Sequence, residues 1–134
     1  QVKQIIVLGH AHCGGINALM HGRGEQVAAD DYLGKWVRIA EPARVQVKQV
    51  LSHKSLEEQC KACEMAAILV SLDNLMGFPF VAEPVLAGEL TLHGWYFDLD
   101  TGALLGYDPA SGAFRPLVAS LDKKAVTGHE LQGG

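Results

Sequence analysis

The sequence predicts an α/β domain in which a mostly parallel sheet is flanked by helices and followed by a late β-hairpin. Three observations carry that prediction. Ile5-Ile6-Val7-Leu8 is a continuous, largely β-branched apolar run, the pattern of a strand buried on both faces of a parallel sheet. It empties into Gly9-His10-Ala11-His12-Cys13-Gly14-Gly15, after which Ile16, Leu19 and Met20 recur at helical spacing. Toward the other end the helical period gives way to a strand over Leu90 to Leu99, a turn at Asp100-Thr101-Gly102 and a returning strand over Ala103 to Tyr107.

The elements between follow from their ends. The first helix closes at His21 and Gly22, a cation-capable residue followed by a glycine suited to a helix C-terminus. Asp30 and Asp31 start a second helix that runs through Trp36, Val37 and Ile39. Pro42 fits the first turn of a third, Ala43 to Leu51, where its missing N–H leaves no bond unmade. Ser55 caps a longer helix whose Glu57 and Glu58 sit at the positive end of its dipole, and which is expected to reach Met76 and stop at Gly77 and Pro79. Asp108-Pro109-Ala110-Ser111-Gly112 reads as a turn, followed by Phe114. The pattern fades from Ala119, which divides the chain into a domain over 1–118 and a C-terminal tail over 119–134.

A length of 134 residues suits one domain, and no repeat or low-complexity segment interrupts it. Eleven Lys and Arg against fifteen Asp and Glu give a net charge of −4 with no basic run, which argues against a nucleic-acid partner. No stretch approaches the roughly 20 apolar residues of a membrane span, so no membrane partner is expected. The three cysteines, Cys13, Cys60 and Cys63, make a poor disulfide framework and suit a reducing compartment, with cytoplasm as the expected location. The first residue is not Met, and a buried strand begins almost at once. The expectation is that the N-terminal part of a larger domain precedes Gln1.

A strand that ends in a glycine-rich turn and a helix is where α/β proteins bind ligands. Gly9 and Gly14 have the spacing of a phosphate loop, but Gly15 and Ile16 stand where Lys and Ser or Thr belong. A metal suits the turn better: His10 and Cys13 can aim an imidazole nitrogen and a thiolate at one point, an N/S pair that fits zinc. The competing reading is an ordinary loop histidine and a small buried cysteine. Two ligands do not hold zinc, which takes four protein ligands in structural sites and usually three plus a water in catalytic ones. His12, adjacent to Cys13, is expected to point away. Cys60 and Cys63 could complete a four-ligand site. They also fall in the stripe Leu56, Cys60, Cys63, Ala67 and Val70, however, and core packing is the expectation for both.

The run Ile5 to Ile16, with its G-H-x-x-C-G turn, resembles the zinc-binding strand and loop of β-class carbonic anhydrases. The resemblance continues through Glu64, Ser71-Leu72-Asp73-Asn74-Leu75 and Phe78-Pro79, then through His93-Gly94-Trp95-Tyr96-Phe97-Asp98, Gly102 and Tyr107-Asp108-Pro109. It covers most of Val2 to Leu117. It implies that family's fold and an enzyme, a lyase, that hydrates carbon dioxide to bicarbonate and a proton at a zinc held by two cysteines and one histidine. His10 and Cys13 match two of those ligands. The other cysteine belongs to a C-x-D-x-R motif, whose Asp and Arg form a catalytic dyad, and no such motif occurs in these 134 residues. The chain is therefore expected to be an incomplete portion, weakly active or inactive alone, of a protein that forms a homodimer or homotetramer when complete. The alternatives are a noncatalytic metal-binding or interaction module with the same fold, and a structural zinc domain using His10, Cys13, Cys60 and Cys63.

Other residues carry plainer expectations. His93 shares a strand face with Trp95 and Phe97 and is read as a satisfied, half-buried residue, while Trp95, Tyr96 and Phe97 are read as hairpin packing. Some family members have a noncatalytic bicarbonate site that uses a Tyr where Phe97 stands. His53 and His129 are read as solvent-side.

Overall fold

A computed structural model describes residues 1–22 and 32–118. Strand β1 (Gln4–His10) leads into helices α1 (Gly14–Met20), α2 (Tyr32–Ile39), α3 (Glu41–Val50), α4 (Leu56–Met76) and α5 (Pro79–Leu86), followed by strands β2 (Thr91–Asp98), β3 (Ala103–Asp108) and β4 (Ala113–Val118). The start of the second helix at Asp30 and Asp31, the tail over 119–134 and His129 lie outside the described residues.

The α/β architecture with flanking helices is the one expected, and the sheet runs β1-β2-β3-β4. Its parallel character rests on one pairing, β1 with β2, in the register Val7↔Gly94 and His10↔Phe97. The β2·β3 and β3·β4 pairings are antiparallel. The mostly parallel sheet thus gives way, among the described residues, to one parallel and two antiparallel contacts. One cause is β4, a strand paired antiparallel to β3 where the sequence predicts a turn followed by Phe114.

Burial along β1 alternates, contrary to the two-sided burial expected of Ile5 to Leu8. Ile5, Val7 and Gly9 face inward, whereas Ile6 and Leu8 are 45% and 60% exposed. Among the described residues α4 is the helix that packs extensively on β1, so one face of the strand is covered and the other is not.

That helix is α4, which packs on β1 and β2 on one side and on α1 and α3 on the other. Its start is fixed by a capping box: the Ser55 hydroxyl accepts from the Glu58 N–H, and the Glu58 carboxylate accepts from the Ser55 N–H. Cys63 joins Ile16, Leu19, Met20, Val37, Ala43 and Val47 in the helical core, and Ile68 joins Ala11 and Tyr96 beneath the sheet. The predicted stripe captured only the first of these two faces, and its leading residue, Leu56, is exposed. Close approach to the sheet needs Gly9 and Gly94, since a Cβ on either would stand 2.7 or 2.8 Å from Ile68.

The long helix ends near Met76 as expected. Pro79 then opens α5 at 92° to α4, where the sequence reading had only a stop. Proline does both, because its ring and missing N–H disfavour continuing the preceding helix yet suit a first turn. No single helix among the described residues is long and apolar enough to cross a membrane.

Candidate metal centre

His10 ends β1, and Cys13 is the N-cap residue of α1. The turn between them is drawn back onto the sheet, where the Ala11 N–H donates to the Phe97 carbonyl at 2.9 Å. His12 has a φ of 55°, a left-handed conformation uncommon for a residue other than glycine. Its imidazole is exposed and bonds the Asp100 carboxylate at 2.9 Å, which raises its pKa above the ordinary histidine value. His12 therefore points away, as expected, and pins the turn to the β2–β3 connection.

The His10 ring is held by its own turn. Nδ1 lies 2.8 Å from the Ala11 carbonyl oxygen, an acceptor only, so Nδ1 carries the proton and Nε2 of the neutral ring keeps its lone pair. Cys13 is partly buried, and both residues line a cavity of about 330 Å³ that runs beside β1 to Trp36. Cys13 also lines a second cavity of about 390 Å³ with Tyr96, Cys60 and Asp98.

One residue of this region went unassigned at the sequence level. Glu64, on α4, is 7% exposed, and its Oε2 accepts a hydrogen bond from the Cys13 backbone N–H at 3.0 Å. The signal was a carboxylate among apolar residues, four positions after Cys60 and four before Ile68 on a buried helix. Beside it stands Tyr96, 0% exposed and with no protein partner for its hydroxyl. Burial, and next the Glu64 carboxylate, push the Tyr96 phenol well above its usual range, so it stays protonated.

Cys63 is fully buried in the helical core, and desolvation pushes its thiol up to about 11. Cys60 is partly buried against the same core, and burial raises its pKa as well. Among the described residues no three His, Cys, Asp or Glu side chains gather in a way that could hold a metal ion, so His10, Cys13, Cys60 and Cys63 form no four-ligand group, although Cys13 and Cys60 line one cavity. His93 is half-buried beside Trp95, but its Nε2 is buried without a partner, so its expected satisfaction is not met. Tyr96 is core and Phe97 partly exposed, while His53 is exposed as expected.

A family profile described as carbonic anhydrase matches residues 1–104. The mitochondrial β carbonic anhydrase 6 of Arabidopsis thaliana is 36% identical over 104 residues, which cover 78% of this chain and 36% of that protein. The chloroplastic β carbonic anhydrase 5 of the same plant is 39% identical over 97 residues, or 72% and 32% of the two chains. The solved β-carbonic anhydrase CcaA superposes with a TM-score of 0.78 at 30% identity, over 86% of this chain and 55% of that one. Tetrameric β-carbonic anhydrases from Sordaria macrospora share the fold, with a TM-score of 0.61 at 20% identity over 90% of this chain and 55% of theirs. The chain spans about a third of the length of these curated relatives and about half that of the solved ones. A matched segment that contains the G-H-x-x-C-G turn, its supporting helix and the strand beside it places the chain in the carbonic anhydrase family, in its β class.

Proposed function

We propose that the protein hydrates carbon dioxide reversibly to bicarbonate and a proton at a zinc ion, with His10 and Cys13 as two of its protein ligands. The observation that carries this reading is the His10 tautomer. A proton fixed on Nδ1 by the Ala11 carbonyl leaves Nε2 free to ligate, on the same cavity wall as the Cys13 thiol. The donor set fits zinc, which accepts imidazole nitrogen and thiolate sulfur together. When bound, zinc supplies Lewis acidity, enough in such sites to bring the pKa of water from about 15.7 to about 7.

This chain's residues do the holding and the shaping. His10 offers Nε2 and Cys13 its sulfur. The Asp100 carboxylate keeps the His12 imidazole out of the turn. Side chains of Leu8, Ile16 and Trp36 make the cavity beside the ligands largely apolar, which suits an uncharged substrate. A third protein ligand and a dyad equivalent to the family's Asp and Arg come, in this reading, from outside these 134 residues. Assembly is as a homodimer or homotetramer, a reading supported by the tetrameric Sordaria macrospora relatives.

Metal analysis after dialysis, with stopped-flow carbon dioxide hydration, tests the proposal. The 134-residue chain should hold less than one zinc and show little turnover, whereas the same chain joined to a C-x-D-x-R segment should hold one zinc and turn over. His10→Ala or Cys13→Ser in the joined protein should abolish both. Full zinc occupancy in either variant would remove those residues from the site. A second reading, a noncatalytic metal-binding or interaction module of the same fold, is favoured by the lack, among the described residues, of any group of three or more His, Cys, Asp or Glu side chains placed to hold a metal ion, and it predicts no turnover in the joined protein either.

A further inference from the structure

Of the charged side chains among the described residues, only Glu64 and Asp98 are buried. A carboxylate taken out of water costs several kcal/mol unless hydrogen bonds replace its hydration, so the partner of a buried one shows what it holds. Asp98 has the Asp100 N–H and the Lys61 ammonium. Glu64 has the Cys13 N–H, 51 positions away in sequence.

That bond falls where the turn has least support of its own. Cys13 is the N-cap of α1 but makes no side-chain cap bond, which leaves its sulfur uncommitted. The turn before it contains His12 in a left-handed conformation. The His12–Asp100 contact pins that part of the turn at the surface, and the Glu64 bond pins the Cys13 end from within. An N–H donating to a carboxylate is a charge-assisted bond, stronger again where water is excluded, and here the buried Tyr96 ring and hydroxyl stand beside the carboxylate.

We infer that Glu64 is a positioning residue for the metal centre: by holding the Cys13 backbone, it fixes where the Cys13 sulfur stands relative to His10 Nε2. The inference rests on the reading of His10 and Cys13 as ligands. Glu64 touches neither metal nor substrate in this role, so its effect is on ligand geometry and hence on metal affinity.

The test uses the chain joined to a C-x-D-x-R segment and Co(II), which reports thiolate ligation by its charge-transfer absorption, together with amide hydrogen exchange at Cys13 by NMR. Glu64→Ala removes the acceptor. It should weaken Co(II) binding by about 10-fold or more, the scale of lost outer-shell support, and should remove the exchange protection of the Cys13 amide. Glu64→Gln keeps an acceptor oxygen and removes the charge, and it should fall between Glu64→Ala and wild type in both measurements. If Glu64→Ala does not fold, Glu64→Asp, whose carboxylate is one methylene short, is read in the same way. Affinity unchanged in Glu64→Ala, or lost as fully in Glu64→Gln, overturns the inference. So does a wild-type Cys13 amide that exchanges freely. Cys13→Ser separates the two levels: Co(II) binding that survives it overturns the site reading and this inference together. Binding lost in Cys13→Ser but intact in Glu64→Ala overturns the inference alone.

Discussion

Replacing Gly9 by Ala places a methyl group in the seam where β1 lies against α4. A Cβ there stands 2.7 Å from Ile68 Cδ1 and 2.9 Å from Ile68 Cγ1, with the Glu64 carbonyl oxygen at 3.7 Å. Carbon atoms pack at about 3.5–4.0 Å, so the Ile68 side chain has to retreat by roughly 0.8 Å. It is 3% exposed and packed beneath the sheet, which leaves it little room. Overpacking of this kind costs about 1–3 kcal/mol, and the reduced freedom of the unfolded chain returns about 0.4–1 kcal/mol, for a net loss of about 0–2.6 kcal/mol, centred at about 1.3 kcal/mol. Ile68→Val deletes Cδ1, the nearer atom, and by itself costs about 0.5–1.5 kcal/mol. In the double variant the new methyl occupies space that Cδ1 vacated. The two losses should therefore fall short of their sum by about 1 kcal/mol. Urea denaturation of the four proteins measures this coupling directly, and in thermal scans each kcal/mol corresponds to roughly 4 °C at this chain length. Losses that add to within about 0.3–0.5 kcal/mol would show that Gly9 and Ile68 do not share this seam, and would refute the reasoning.

Two further outcomes follow from the site's surroundings. With its thiol buried and pushed up to about 11, Cys63 should resist iodoacetamide at pH 8 in the folded protein and react only on unfolding, and replacing Cys60 and Cys63 by Ala should leave metal content unchanged. Rapid labelling of Cys63, or loss of metal in that double variant, would revive the four-ligand alternative. For the His12–Asp100 pair, a histidine pKa raised by folding means that its contribution to stability is fully present below the unfolded-state pKa of about 6.5 and is lost as pH rises through the raised folded value. Asp100→Asn should bring the His12 titration, followed by NMR, back toward the ordinary value and flatten the stability profile over that window. An unchanged His12 titration would show that Asp100 is not its partner.

Local chemistry made much of the fold legible. The Ser55 cap, the Gly22 stop and the Pro42 start are signals that act within a few residues, and each falls where the structure has a helix end. The misses are of another kind. Pro79 marks a boundary without saying whether a helix follows it, and β4 lacks the alternation that betrays a half-buried strand because most of its residues are exposed. The apolar run of β1 shows what a strand can bury, whereas the helices that cover its faces decide what it does bury, and among the described residues α4 covers one of them.

The candidate site divides in the same way. His10 and Cys13 were legible because their chemistry depends on a spacing of three residues on one turn, which the chain carries with it into any context. The lone pair on His10 Nε2, the His12–Asp100 clamp and the Glu64 bond to Cys13 were not, since each depends on where a carbonyl or a carboxylate arrives in space, and two of those partners lie 51 and 88 positions away. The sequence by itself singled out the candidate donor residues, His10 and Cys13, and the family that the chain resembles. The tertiary structure alone decided how they are held, because hydrogen bonds form by proximity in the folded state, and a distant carboxylate has no fixed position until the helix that carries it has packed.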